Sequence, residues 1–162
     1  MERISVRRKL RTVVLVASGL VALFVVHPSF AVAATPKCHG ETATIVGTSG
    51  NDVLHGTPGH DVIVGLGGND VIDGRGGNDT ICGGAGNDIM SGDAGRDHLY
   101  GGPGDDTLKG NAADDSLYGG TGDDTLSGGK GNDSLDGGPG RDNEVGGSGS
   151  DSCEGATCPD GS

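Results

Sequence analysis

From Gly47 to Glu154 the chain repeats itself every nine residues, twelve times without a gap or an insertion, and no other feature constrains its fold as tightly. Every block opens with Gly and carries Asp at its sixth position: Asp52, Asp61, Asp70, Asp79, Asp88, Asp97, Asp106, Asp115, Asp124, Asp133, Asp142 and Asp151. Such a period marks a stack of small units that bury their apolar faces against one another, not a domain with one central core. The stretch Gly65 to Ile81, GLGGNDVIDGRGGNDTI, shows the unit and its successor.

Gly at positions one and four, with Asn or Asp often at five, lets the backbone take left-handed conformations that are costly for other residues. The first six residues of a block are therefore expected to form a tight turn with inward carbonyls. The last three alternate in the manner of a strand around an apolar middle residue. Leu54, Ile63, Ile72, Ile81, Met90, Leu99, Leu108, Leu117, Leu126 and Leu135 hold that middle position. Two blocks then make one turn of a coil, and twelve blocks make six turns, roughly 29 Å of stack at about 4.8 Å per layer. The expected fold class is all-β, a parallel β-roll in which two sheets enclose the aliphatics. Residues eighteen apart become neighbours in one sheet, placing Tyr100 beside Tyr118 and Thr107 beside Thr125.

The same stacking brings the aspartates of alternate blocks to opposite walls of the gap between turns, Asp70 facing Asp88 and Asp79 facing Asp97. A file of bare carboxylates at that spacing repels itself. A hard divalent cation resolves the conflict, and calcium, which takes six to eight oxygens from carboxylates and carbonyls in flexible geometry, fits better than magnesium. All twelve aspartates are candidate metal ligands. Pairing alternate blocks allows at most about ten ions, five along each edge. Hydrophobic residues make up 32% of the 162, aromatic ones 2%, and 35 positions are Gly, so no conventional core is available. The ions are therefore expected to drive folding, with the repeats disordered in their absence.

The nonapeptides resemble the repeats-in-toxin family of calcium-binding repeats, pattern G-G-x-G-x-D-x-U-x, over Gly47 to Glu154. The resemblance implies a parallel β-roll in which turn carbonyls and the sixth-position Asp bind calcium. Departures from the pattern are local. Thr48, Thr57, Leu66, Arg75, Asp93 and Asn111 replace the second glycine, and Ala113 replaces the fourth-position glycine, which makes Gly110 to Tyr118 the weakest turn. Glu144 and Cys153 replace the aliphatic in the last two blocks, where the stack is expected to fray or be recapped. The family often joins its repeats to a protease, lipase or toxin domain. No sizeable segment outside the repeats is available here for one.

Residues 1–33 read as a secretory leader: Arg3, Arg7, Arg8, Lys9 and Arg11 precede the apolar run Val13 to Val26, and small residues at Ala31, Ala33 and Ala34 offer cleavage after Ala33 or Ala34. Removing Met1 to Ala33 takes away five basic residues and one acidic, moving the net charge from −12 to −16. So acidic a chain favours cations and repels nucleic acid and anionic membranes. The expected partners are calcium ions, with no nucleic acid and no membrane after cleavage, and an extracellular protein or polysaccharide partner is left unidentified. The expected location is outside the cell. Residues 34–46 read as an N-terminal capping strand, 47–154 as the roll and 155–162 as a tail.

An exported chain meets oxidising conditions, so Cys38, Cys82, Cys153 and Cys158 are expected to form two disulfides. Cys153 and Cys158 can close a C-terminal clasp, leaving Cys38 for Cys82, although four cysteines allow three connectivities. Zinc is the alternative, since His39 adjoins Cys38, but the spacings fit it poorly.

The expectation is of no enzyme. His55, His60 and His98 sit at variable positions, no Ser lies in a nucleophile elbow, the Gly-rich turns lack a Gly-Lys-Ser/Thr ending, and no twelve-residue EF-hand loop is present. No catalytic or organic-cofactor residue is assigned. Beside a secreted calcium-binding protein, the sequence admits an adhesion module using a Tyr100, Tyr118 and Lys109 side, and more distantly a calcium-dependent hydrolase.

Overall fold

The computed structural model describes residues 13–17, 20–24, 34–154 and 158. The chain divides into two compact units, Met1–Ala34 and Thr35–Ser162. In the first, β1 (Val13–Ala17) and β2 (Leu20–Phe24) pair antiparallel, Val13 opposite Phe24. Most of the expected leader, including Ala33 at its expected cleavage point, lies outside the described residues. No helix among the described residues is long and apolar enough to cross a membrane.

The second unit opens with a small antiparallel hairpin, β3 (Lys37–Cys38) and β4 (Glu41–Thr42). Then the coil begins with β5 (Ile45–Val46), β6 (Val53–His55), β7 (Val62–Gly67), β8 (Val71–Asp73) and β9 (Thr80–Ala85). It continues through β10 (Ile89–Ala94), β11 (His98–Pro103), β12 (Thr107–Ala112) and β13 (Ser116–Thr121). Its last strands are β14 (Thr125–Lys130), β15 (Ser134–Asp136), β16 (Asn143–Ser148) and β17 (Ser152–Glu154).

Successive strands alternate between two parallel sheets, one of seven strands from β5 to β17 and one of six from β6 to β16. This is the parallel two-sheet roll expected from the period. Every ladder pairs residues eighteen apart: Ile63 with Ile81, Tyr100 with Tyr118, Thr107 with Thr125. Between the sheets the middle residues stack into one buried file, Ile63, Ile72, Ile81, Met90, Leu99, Leu108, Leu117, Leu126 and Leu135, with Ile45, Leu54 and Cys153 partly buried against it. Each file member touches the layers above and below, so burial of about 1.5 to 3 kcal/mol per side chain accrues along the coil axis.

Strand and turn divide the block differently from the expectation of six and three. Most strands run six residues, from position seven of one block through position three of the next, and only positions four to six turn. Burial alternates along them, as in β12, whose Leu108 and Gly110 face inward while Thr107 and Lys109 face outward. Position one is thus an inward strand residue, and its glycines do not have positive φ. The left-handed residues occupy positions two and four instead, and include Leu66 (φ 81°), Arg75 (73°), Asp93 (71°), Asn111 (80°) and Ala113 (86°). Gly110 to Tyr118, expected to be the weakest turn, contains two of these five.

β5 is the expected starter strand, pairing parallel with β7. The hairpin before it packs on the outer side of the seven-stranded sheet: Cys38 is bonded to Cys82 and packs with Val62 and Val64, and His39 stacks on Tyr100 at 3.5 Å between ring centroids. Cys153 is bonded to Cys158. These are the two pairings anticipated from chain order, and they remove Cys38 from any zinc set.

At the far end Glu144, at an aliphatic position, is 5% exposed. In earlier layers the position-one amide donates to a carbonyl of the strand two blocks on, as Gly74 N does to Ser91 O at 2.8 Å. Gly137 N donates to Glu144 Oε1 instead, at 2.6 Å. The stack is recapped there by a side chain of its own last layers.

Candidate metal centre

The aspartates lie on the two edges of the flattened coil, where the chain leaves one sheet for the other. From Asp70 to Asp133 each sixth-position residue is held three times. In the case of Asp70, its amide donates to Asp88 Oδ1 at 2.8 Å, its carbonyl accepts from Ile89 N at 2.8 Å, and its own Oδ1 accepts from Asp52 N at 2.8 Å. The other edge repeats the pattern, Asp79 N donating to Asp97 Oδ1 at 2.8 Å. Asp70 and Asp79 therefore belong to different edges, and each is linked to the aspartate one coil turn on.

These bonds use Oδ1 only. The Oδ2 atoms of Asp70, Asp79, Asp88, Asp97, Asp106, Asp115, Asp124 and Asp133 are buried and accept no hydrogen bond, and these residues are 0% to 2% exposed. Buried polar oxygens without partners are costly and rare. Two columns of four, one on each edge, are therefore a chemical feature of the fold.

Each orphan oxygen faces the inward glycine at position one of its own block. A Cβ on Gly74 would lie 2.7 Å from Asp79 Oδ2 and 3.0 Å from the carbonyl oxygen of Gly92; one on Gly110 would collide with Asp115 Oδ2 and approach Gly128 O at 2.7 Å. Carboxylate and next-turn carbonyl thus converge on a cradle kept open by the missing side chain. Position one is glycine for this steric reason and not for left-handed backbone. A hard cation that takes carbonyl and carboxylate oxygens fits this donor set. Among the described residues no three His, Cys, Asp or Glu side chains converge on one point, so any cation here depends on backbone oxygens.

The electrostatics agree. Burial raises the carboxyls of Asp79, Asp88, Asp124 and Asp133 above the ordinary range, despite the amide each receives. In the middle of the stack burial is joined by neighbouring aspartates, pushing Asp97 and Asp106 up to about 6 and Asp115 up to about 7. Dense unpaired acid of this kind is discharged by protons or by a cation.

The ends differ. Asp52 Oδ2 accepts from Thr48 N at 2.6 Å and Thr48 Oγ1 at 2.9 Å; Asp61 Oδ2 accepts from Thr57 N at 2.6 Å and Thr57 Oγ1 at 2.8 Å. Burial of Asp61 opposes ionisation, but the Thr57 amide and hydroxyl prevail and its carboxyl lies below the usual range. Asp142 Oδ1 and Asp151 Oδ1 accept from the amides of Asp124 and Asp133, at 2.9 Å each, but no later-turn carbonyl faces their position-one glycines.

A model of the RTX calcium-binding nonapeptide repeat matches the chain in overlapping segments, 43–72, 55–90, 83–117, 91–126, 109–144 and 118–153. The chain belongs to this family. No curated protein sequence matches it. Calcium binding by a β-roll is thus the established character of the repeat region, and its stacked, buried aspartates are the residues that the RTX pattern places in the turns.

By sequence, position five is a turn former. In the structure Asn and Asp there build a second, outer ladder: Asn69 N donates to Asn51 Oδ1 at 2.8 Å, Asn87 N to Asn69 Oδ1 at 3.0 Å, and Asp123 N to Asp105 Oδ1 at 2.9 Å. Its signal was the recurrence of Asn or Asp immediately before the invariant Asp. The adhesion reading meets a correction. Lys109 lies on β12 in the six-stranded sheet, whereas Tyr100 and Tyr118 lie on β11 and β13 in the seven-stranded one, because blocks an odd number apart fall on opposite sheets. His55 sits 3.4 Å from Asp73, and His60 3.6 Å from Glu41, as exposed pairs.

Proposed function

We propose that this RTX chain is an exported calcium-responsive protein whose roll folds as ions enter between successive turns. Each ion would take Oδ2 of a sixth-position aspartate and the position-one carbonyl two blocks on: Asp70, Asp88, Asp106 and Asp124 along one edge, Asp79, Asp97, Asp115 and Asp133 along the other. The observation that carries the reading is the two columns of buried Oδ2 atoms without partners, seven of the eight sharing their glycine cradle with a later-turn carbonyl. The chain's own amides fix Oδ1 and so aim Oδ2, which leaves the cation only the final cradle to complete. Export is supported by the basic and apolar N-terminal run and by two disulfides, which persist in oxidising compartments.

With dissociation constants of about 0.1 to 1 mM, as in extracellular modules, each ion contributes roughly 0.4 to 1.4 kcal/mol at millimolar calcium. Summed over a ladder, this is comparable with the stability of a domain, about 5 to 15 kcal/mol. Far-ultraviolet circular dichroism with calcium and then with excess chelator at pH 7.5 tests the reading. Loss of the β spectrum on chelation is expected, and an unchanged spectrum refutes calcium-driven folding. Fractionation of the native host tests export separately.

A further inference from the structure

The first two blocks of the roll are built differently from the eight that follow. They have the later-turn carbonyl: a Cβ on Gly47 would lie 2.6 Å from Gly65 O, and one on Gly56 would collide with Gly74 O. They have the aspartate too. What they lack is the orphan oxygen, because Thr48 and Thr57 at position two already give Asp52 Oδ2 and Asp61 Oδ2 an amide and a hydroxyl each. Each threonine hydroxyl is in turn fixed as an acceptor, from Gly50 N and Gly59 N at 3.2 Å. None of Thr48, Gly50, Thr57 and Gly59 has the left-handed backbone that positions two and four adopt further on.

The geometry points to Thr48 and Thr57 as replacements for a cation, so that the roll has a metal-independent N-terminal end and its ion ladder begins at Asp70 and Asp79. This rests on the reading of the aspartate ladder as calcium sites. A threonine donates two hydrogen bonds to the oxygen that elsewhere has none, and the local reason to recruit an ion disappears. The same end is secured in two further ways. The Cys38–Cys82 bond ties the hairpin to the layer of β9, and Val62 and Val64 pack beneath Cys38. Calcium would thus extend a stack from a terminus already closed, rather than having to nucleate both ends.

The test is calcium stoichiometry, measured by equilibrium dialysis and calorimetry on the full mature chain at saturating calcium. Relative to wild type, Thr48→Gly/Thr57→Gly should take up two more ions per chain, because it frees both Oδ2 atoms and permits the left-handed turn. Asp52→Asn/Asp61→Asn should leave the count unchanged, and so should Thr48→Ser/Thr57→Ser, which keeps the hydroxyls. A loss of two ions in Asp52→Asn/Asp61→Asn overturns the proposal while leaving the ladder reading intact, and so does an unchanged count in a folded Thr48→Gly/Thr57→Gly. If that glycine variant does not fold, the Asn variant alone decides. Absence of calcium uptake by the wild type would instead overturn the ladder reading on which the proposal stands.

Discussion

Acid should substitute for calcium. The perturbation is a shift from pH 7 to pH 5 in excess chelator, chosen to stay above the sequence pI of about 4.5, where a chain of low charge aggregates. In the folded roll Asp97 and Asp106 titrate at about 6 and Asp115 at about 7, against an ordinary 3.8. Between those limits the folded chain holds more protons than the unfolded one, so stability falls as pH rises and is recovered as pH falls. Over the two-unit step Asp115 gains across about two units, and Asp97 and Asp106 across about one each. At about 1.4 kcal/mol per unit this comes to on the order of 5 kcal/mol. Asp79, Asp88, Asp124 and Asp133 shift in the same direction and add to it. Asp61 acts oppositely, but its lowered carboxyl titrates below this window. Circular dichroism and amide hydrogen exchange on the chelated chain should therefore show β structure and protection growing toward pH 5, with a midpoint near 6. A chelated chain that is equally disordered at pH 7 and pH 5 would refute the account of the buried carboxylates as the obstacle to metal-free folding.

Three further perturbations read other parts of the stack. Leu108→Ala, in the buried file between Met90 and Leu126, should cost about 2 to 5 kcal/mol in denaturant titrations of the calcium-loaded protein. Ala113→Gly relieves a left-handed residue at φ 86° and should stabilise by about 1 kcal/mol, read as a lower calcium midpoint for folding. Replacing Cys38 and Cys82 by Ser frees a loop of 44 residues and should cost about 4 kcal/mol on the chain-entropy estimate, seen as a higher calcium midpoint.

The period carried the fold because a strict repeat of nine leaves few ways to bury its aliphatics, and the pairing of Ile63 with Ile81 and of Tyr100 with Tyr118 follows from counting. The facing of Asp70 with Asp88 was legible for the same reason. Composition could not say why position one is glycine: the requirement comes from a carboxylate in the same block and a carbonyl two blocks away, and neither is a neighbour in sequence. Nor could composition show that position two is left-handed, where Leu66, Arg75 and Asp93 stand in place of the pattern's second glycine. The surrounding ladder fixes these residues, and their unfavourable φ is tolerated because both flanks are hydrogen-bonded. Thr48 and Thr57 looked like lost glycines, and only the hydrogen bonds to Asp52 and Asp61 separate them from Leu66 and Arg75. Glu144 was legible as an exception but not as a cap, since its partner amide, Gly137 N, belongs to a position whose amides take strand carbonyls in earlier layers.

The eighteen-residue register gives the molecule a parity. Both sheets send the same aliphatic position inward, so the interior does not register whether one block or two is gained or lost. The outer surface does. Deleting Gly101 to Lys109 would preserve the file of Leu residues yet carry Tyr118 to the sheet opposite Tyr100 and move every later aspartate to the other edge. Removing eighteen residues would only shorten the roll. Length in this architecture can drift freely in even steps, whereas any feature assembled across neighbouring layers, such as the Tyr100–Tyr118 stack at 5.0 Å, is inherited only by rolls that change by pairs.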